Sequence, residues 1–294
     1  MRVLLTGASG FLGKAWSLAA DPGIEIVALG RSVPEEIAGR VRLIEADLSE
    51  PAGVARAVAS GALPEAVDAV VHLAVSRHHR QFPERALDMF EVNVAATAQL
   101  LDYAKRAGAR HFVLGSTGTV YSPGDGGRLD EARQVYPEAF FAVTKRAAEL
   151  LAESYRPHFA VGILRFFVPY GPGQTDRLVP DLIARVERGD AVTLPPVGDG
   201  MAFTPIYIDD AVRVLETCLT EKWNDIVNVS ADEPLTICDA ARIIGEIVGR
   251  APRFERSVSA SSLQLVPDLT RLGRRVPIDE FTRFGDGVRR MLSS

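Results

Sequence analysis

The sequence is poor in several features that would have fixed its class at once. It has two cysteines in 294 residues. Cys218 and Cys238 have neither metal-ligand spacing nor a secretory context, which predicts buried thiols in a reducing compartment and no disulfide framework. Aromatic residues make up only 7% of the chain. No run of basic residues appears, and the net charge is −5; this argues against nucleic acid as a partner. No apolar run approaches the ~20 residues of a membrane span. The first apolar run opens at Val3, which leaves no room for a signal peptide, so a soluble cytoplasmic protein is expected. Internal repeats and low-complexity segments are lacking too. What the chain does have is 47% hydrophobic residues, enough for one large or two intimate domains.

The most informative stretch is the opening, MRVLLTGASGFLGK. Val3, Leu4 and Leu5 show no polar alternation, as in a strand buried on both faces. Gly7, Gly10 and Gly13 then recur at every third position, with Ser9 between the first two. Phe11, Leu12, Ala15, Trp16 and Leu18 continue at helical spacing. A buried strand that turns through glycines into a helix offers an anion free N–H groups and the positive helix end. In a dinucleotide-binding turn the first glycine permits the tight bend. The second lets a pyrophosphate approach the backbone, and the third lets helix and strand pack closely.

Strands and helices then alternate, which predicts an α/β fold with a doubly wound parallel sheet. The second strand, Ile24 to Leu29, ends at Gly30-Arg31-Ser32. An acidic residue there would read the ribose 2′-hydroxyl of NAD; none is present. Arg31 and Ser32 suit a 2′-phosphate, so NADP(H) is favoured, with NAD(H) as the alternative. Asp47 and Leu48, after the third strand, are candidates for adenine contact, though an aspartate there is also an ordinary turn residue. Leu73 and Ala74 end the fourth strand, Val67 to Leu73, and let the backbone lie against the pyrophosphate. The polar loop Ser76 to Pro83 carries His78 and His79, which either touch a substrate or are simply solvated. One long helix is expected over Leu87–Ala107 with Asn93 inside it, and Gly108 ends it. The fifth strand, His111 to Leu114, is expected to break at Gly115. Pro123 to Gly127 reads as a mobile loop and Pro137 to Arg156 as a helix. After a sixth strand to Phe167, Pro169-Tyr170-Gly171-Pro172-Gly173 marks a domain boundary. A strand over Thr204–Asp210 leads to a helix from Ala211 capped by an aspartate, and the last 40 or so residues read as weak turns with several arginines.

Taken together these residues resemble the extended short-chain dehydrogenase/reductase family, also called the NAD-dependent epimerase/dehydratase family. The resemblance rests on TGASGFLG at Thr6–Gly13, ADL at Ala46–Leu48, HLA at His72–Ala74, Asn93, STGTVY at Ser116–Tyr121, Lys145, RFF with YGPG at Arg165–Gly173, PIYIDDA at Pro205–Ala211 and NVS at Asn228–Ser230. It implies a Rossmann domain over residues 1–167 with 204–222. A smaller, mixed substrate-binding domain would cover 168–203 with 223–294. It implies an NAD(P)-dependent ketoreductase or epimerase acting on a sugar nucleotide or related small molecule, and a homodimer built on the two long helices. By the same resemblance Gly7, Ser9, Gly10, Phe11, Leu12, Gly13, Arg31, Ser32, Asp47, Leu48, Leu73, Ala74, Asn93, Lys145 and Phe167 hold the cofactor. Thr117 supplies a catalytic hydroxyl, and Lys145 lowers the pKa of a tyrosine acid/base. No metal is implied.

Three positions depart from the family pattern. Tyr-x-x-x-Lys reads Phe141-Ala-Val-Thr-Lys145, and phenylalanine has no proton to give. The asparagine usual before YGPG is Val168. The usual arginine before the PIYIDD strand is missing, with Ala202 and Phe203 in its neighbourhood. The chain is then a Tyr-to-Phe inactive form of an enzyme, a non-catalytic NAD(P)-binding sensor or scaffold, or an enzyme in which Thr117, Tyr121 or a substrate group moves the proton.

Overall fold

In the computed structural model, residues 1–121, 127–259 and 263–293 are described; of the loop expected at Pro123–Gly127, only Gly127 is among them. The chain divides into two compact units. The first comprises Met1–Ser122, Val135–Arg165 and Val212–Val227; the second comprises Pro123–Gln134, Phe166–Ala211 and Asn228–Ser294.

The first unit is organised by β1 (Arg2–Thr6), whose Val3, Leu4 and Leu5 are completely buried. A strand with no polar face needs a neighbour on each edge and a helix layer on each side. β1 accordingly pairs in parallel with β2 (Glu25–Gly30) on one edge and β4 (Ala69–His72) on the other; Leu4 lies opposite both Val27 and Val70. β3 (Val41–Glu45) extends the sheet beyond β2, and β5 (His111–Thr117) and β6 (Ala160–Phe166) extend it beyond β4. The strand Ile226–Val229 completes a seven-stranded order: Ile226–Val229, β6, β5, β4, β1, β2, β3. The order reverses at β1, and in open α/β sheets ligands bind outside the carboxyl ends at such a switch point.

The helices of this unit include α1 (Phe11–Ala19), α2 (Glu35–Ala38), α3 (Gly53–Ala59), α4 (Ala86–Phe90), α5 (Ala96–Arg106) and α6 (Phe140–Ser154), with most of the helix Ile208–Glu221. One apolar core joins Leu4, Val27, Val70 and Phe112 of the sheet to Leu100, Leu101 and Ala104 of α5 and Ala148 of α6.

Several boundaries differ from the sequence expectation. The long helix over Leu87–Ala107 is not uniform: α4 and α5 are joined by a π-helical segment, Glu91–Ala95, around Asn93. The Asn93 amide is turned inward to bond the protein interior, and the wider turn accommodates it. β5 does not break at Gly115 but runs on to Thr117. Gly115 lies so close to β4 that a Cβ there would stand 2.9 Å from Leu73 Cδ2, so this glycine serves close packing. The helix expected from Ala211 begins at Ile208, which puts Asp209 and Asp210 in its first turn and not at its cap.

Among its described residues, the second unit is built from short strands and the amphipathic helices Leu178–Arg188, Ile237–Val248 and Phe284–Leu292. Ala202–Phe203 sits between Leu235–Thr236 and Gln264–Leu265, and Ala191–Leu194 pairs with Arg253–Arg256. Helix Ile237–Val248 starts at a capping box between Thr236 and Asp239 and ends at left-handed Gly249. The C-terminal stretch, expected as turns, forms a helix at Phe284–Leu292 that buries Phe284, Gly287 and Val288 on one face. Its Gly287 is pressed against Tyr170, where a Cβ would lie 2.2 Å from the phenol oxygen. Val168 has φ 40, a left-handed conformation that is an outlier for a β-branched residue and one that asparagine tolerates.

Candidate active site

The β1–α1 turn is shaped by what its glycines exclude. Gly7 has φ +79, and a Cβ on it would stand 2.6 Å from the Ala74 backbone nitrogen. A Cβ on Gly13 would stand 2.1 Å from the Gly7 carbonyl oxygen, so α1 rests directly on the turn. At Gly10 the nearest atom to such a Cβ is the Gly7 oxygen at 3.1 Å, with open space otherwise. Gly10 N donates to Gly7 O at 2.9 Å, and at the N-cap position of α1 Gly10 supplies no side-chain bond. Ser9 and Gly10 are exposed, and Phe11 and Leu12 are half-buried at the first turn of the helix. The result is an uncapped helix N-terminus behind a bare backbone, which is an anion-binding arrangement.

Around it lie the carboxyl ends of β2, β3 and β4. Arg31 and Ser32 are exposed. An Arg31 guanidinium nitrogen stands 4.0 Å from Asp47. Asp47 also accepts bonds from Ser49 N and Oγ at 2.9 and 2.7 Å, the turn geometry that its alternative reading required. Partial burial pushes this carboxyl up, but the Ser49 bonds and the charges of Arg31 and Arg77 outweigh it and hold Asp47 below its ordinary value. Leu48 is buried, and Leu73 and Ala74 are half-buried beside the Gly7 turn.

At the end of β5 the buried Lys145 ammonium donates to the Gly115 carbonyl. Burial pushes its pKa down to about 8, against the attraction of Glu149. Thr117 is half-buried, and its hydroxyl caps a short 3-10 turn by accepting from Thr119 N at 3.2 Å. Phe141 is half-buried one turn before Lys145 on α6. Tyr121, weighed above as a proton donor, is 2% exposed with its ring under the Arg165 guanidinium at 4.8 Å. That contact commits the ring to the buried Arg165.

Behind Lys145 is a network that sequence reasoning missed. Glu149, fully buried, accepts from Arg165 at 2.9 and 2.7 Å, from Ser116 at 2.5 Å and from Arg146 at 3.0 Å. Burial raises its pKa, but the Arg165 bonds and charge, with Ser116 and Arg146, outweigh it and the net shift is downward. The signal was an arginine inside the apolar strand β6 and a glutamate four residues after Lys145. His72 is buried as well: Thr6 Oγ1 lies 2.6 Å from Nδ1 and Thr97 Oγ1 3.0 Å from Nε2. Because Thr97 donates to the Asn93 carbonyl at 2.7 Å, it accepts from His72, which fixes the neutral Nε2–H tautomer. Burial, assisted by the Lys145 charge, pushes His72 down to about 3.

Asn93 is 1% exposed and committed at both ends of its amide. Its Oδ1 accepts from Ser76 N at 3.3 Å, and its Nδ2 donates to Thr144 Oγ1 at 2.9 Å. Thr144 passes the chain on to the Phe141 carbonyl at 2.7 Å. The loop after β4 is thereby tied to the first turn of α6. In that loop His78 is occupied by Gln81 at 3.0 Å and Arg77 at 3.3 Å. His79 instead lays its ring against Phe141, with centroids 5.5 Å apart at 57°. Phe167 directly follows the carboxyl end of β6, and its N–H donates to Val229 O at 3.0 Å. Among the described residues no group of His, Cys, Asp and Glu is placed to hold a metal ion, and no helix is long and apolar enough to cross a membrane.

Comparison with known proteins agrees with this geometry. The family model of the NAD dependent epimerase/dehydratase family matches residues 3–230. The dTDP-4-dehydro-6-deoxy-D-allose reductase of Streptomyces bikiniensis is 28% identical over 303 residues, covering 94% of this chain and 91% of the relative. The structure of Thermus thermophilus UDP-glucose 4-epimerase in complex with NAD superposes with TM-score 0.83 at 25% identity, covering 100% of this chain and 98% of that one. A dTDP-glucose 4,6-dehydratase double mutant of Streptomyces venezuelae with NAD bound gives TM-score 0.83 at 25% identity, covering 100% and 96%.

Proposed function

The chain belongs to the NAD-dependent epimerase/dehydratase family, and from that premise we propose that it is an oxidoreductase-type enzyme, a ketoreductase or epimerase, acting on a nucleotide sugar. One observation carries the reading. The β1–α1 turn that admits no Cβ at Gly7 or Gly13 and the buried Lys145 at the end of β5 lie at the carboxyl ends of strands in one sheet. The three relatives named above are a reductase, an epimerase and a dehydratase, and each name contains a nucleotide sugar.

The residues present fit a dinucleotide. The uncapped α1 N-terminus and bare Gly10 suit a pyrophosphate. Ser9, Phe11, Leu12, Leu73 and Ala74 would flank it, Asp47 and Leu48 would meet the adenine, and Lys145 the nicotinamide ribose. Asn93 acts from behind by holding the Ser76 loop to α6. When bound, the nicotinamide accepts or returns a hydride at a substrate carbon. Thr117 then orients the substrate hydroxyl. In this proposal the first unit, with Phe167 at the end of β6, holds the dinucleotide, and the second unit the sugar nucleotide.

NADP(H) is the preferred form because no acidic residue follows β2 and Arg31 and Ser32 stand exposed there. Fluorescence titration with NADPH and NADH tests both levels. Arg31→Ala is expected to weaken NADPH about tenfold or more, the loss of one charge-assisted contact, and to leave NADH unchanged. Equal loss for both would reject NADP, and binding of neither would reject the cofactor reading. Phe141 favours a second reading, a non-catalytic NAD(P)-binding sensor or scaffold. Tight nucleotide binding with no turnover, even in Phe141→Tyr, would establish it.

A homodimer is part of the proposal. Leu87, Phe90, Val143 and Leu150 are 79%, 46%, 43% and 54% exposed on α4 and α6, an apolar surface suited to a second copy. Leu101 instead lies in the core. Light scattering should return twice the 31.8 kDa chain mass; a monomer mass would reject the dimer.

A further inference from the structure

Phe141 leaves the proton-transfer position without an acid, yet a titratable ring lies directly against it. We propose that His79 exchanges the substrate proton in this protein, in the place left by Phe141, an inference that rests on the oxidoreductase reading above.

Four observations on the first unit support the assignment. The imidazole packs on the Phe141 ring with centroids 5.5 Å apart, so a base stands beside the side chain that cannot act as one. Second, the two adjacent histidines are sorted by geometry. His78 has both ring nitrogens engaged, by Gln81 and Arg77, and His79 is the one that turns toward α6. Third, the loop is held. Ser76 donates to Asp88 and accepts from His78 N at 3.1 Å. The buried relay Ser76–Asn93–Thr144 ends on the carbonyl of Phe141 itself. The backbone bearing His79 is therefore linked through buried bonds to the residue it packs on, which limits the misplacement that costs catalysis rate. Fourth, the loop follows the carboxyl end of β4, next to the turn at Gly7, on the ligand side of such a sheet.

The other acids and bases nearby do not qualify. Tyr121 is 2% exposed and its ring is packed under Arg165. Both His72 nitrogens are engaged in the interior. Lys145 is bonded to the Gly115 carbonyl, and in the reading above its chemistry is spent on the nicotinamide ribose. Histidine suits the task because its unperturbed pKa, ~6.5, is near working pH.

The step balances as a dehydrogenation. The substrate C–H bond breaks and its electron pair leaves as hydride to an oxidised nicotinamide dinucleotide. The O–H bond breaks, its proton passes to the imidazole, and the carbon–oxygen bond becomes a carbonyl. Reduction returns the hydride to carbon and the proton from His79 to oxygen.

The test uses the full chain with saturating NAD⁺ or NADP⁺ and a panel of UDP-glucose, UDP-glucuronate and dTDP-glucose. Reduction of the nicotinamide is followed in a single turnover by its absorbance. The wild type should react, and His79→Gln should be slower by about 10²–10⁴-fold, the usual worth of a general acid–base. His79→Gln with Phe141→Tyr should recover most of the rate. A His79→Gln rate equal to wild type overturns the proposal. A silent wild type with an active Phe141→Tyr variant also overturns it, while leaving the oxidoreductase reading intact. Silence in all variants overturns both. Independently of turnover, the Cε1–H NMR correlation of His79, identified by its loss in His79→Gln, should shift when NADH and UDP-glucose are added together. A correlation that does not move, with His78 and His158 as references, removes His79 from the site.

Discussion

Lys145 and Arg165 are both buried cations in the first unit, and they are treated oppositely. Arg165 meets a carboxylate with two parallel hydrogen bonds, and Glu149 is in turn bonded by Ser116 and Arg146. Burial alone would lower the arginine pKa; the Glu149 bonds and charge raise it instead. Lys145 has only a backbone carbonyl, with Glu149 attracting it from further off, and burial prevails to bring it to about 8. A cation with a bidentate carboxylate is locked in one charge state and holds architecture. A cation given only a carbonyl stays within reach of neutral pH and is available for chemistry. The same strand end, Gly115 to Thr117, serves both: Gly115 faces the lysine and Ser116 the glutamate.

The sharpest way to break this contrast is Glu149→Gln. The amide keeps the shape but leaves the Arg165 guanidinium buried without its counter-charge. Removing one partner of a buried pair costs about 3–5 kcal/mol. Chemical denaturation should show a loss of that order. A loss below ~1 kcal/mol would mean that water or Tyr121 shields Arg165 and that the pair is not the fixture described. Lys145 should shift too, because the Glu149 charge that attracts it is gone, and its pKa should fall further below 8.

How much of this was legible in the sequence follows from what each feature is made of. The β1–α1 turn was, because it depends on absent side chains, and a missing Cβ is a local property of Gly7, Gly10 and Gly13. The parallel sheet was, because the runs Val3–Leu5 and Ala69–Val71 leave no polar face for solvent. The π-helical turn at Asn93 was not, since it is imposed by Ser76 and Thr144, distant in sequence and brought in by the fold. The Glu149–Arg165 pair was quoted only in part: Arg165 stood in a motif, but its partner could not be read before α6 was laid beside β5 and β6. Val168 shows the reverse case. Its departure from asparagine was visible at once, while the reason asparagine suits the position, a φ of 40, is a property of the folded backbone.

The second test concerns Lys145 and runs through pH. Its folded pKa, about 8, lies below the ordinary 10.5. Below pH 8 both states hold the proton, and the folded state carries the desolvation cost. Between 8 and 10.5 the unfolded chain binds more protons, so the lysine contributes stability that grows as pH rises, by about 1.4 kcal/mol per unit and roughly 3 kcal/mol in all. Tyr103, pushed up to about 12 by burial, works the other way above pH 10, so the comparison is best made as a difference. In Lys145→Met the apolar chain keeps the stem volume and removes the titration. The difference in unfolding free energy between this variant and the wild type should shrink steadily from pH 8 to pH 10, with the variant the more stable at pH 8 because it buries no charge. A pH-independent difference would mean that Lys145 is as firmly charged as Arg165. The distinction between a cation kept for architecture and one kept for chemistry would then have no electrostatic basis.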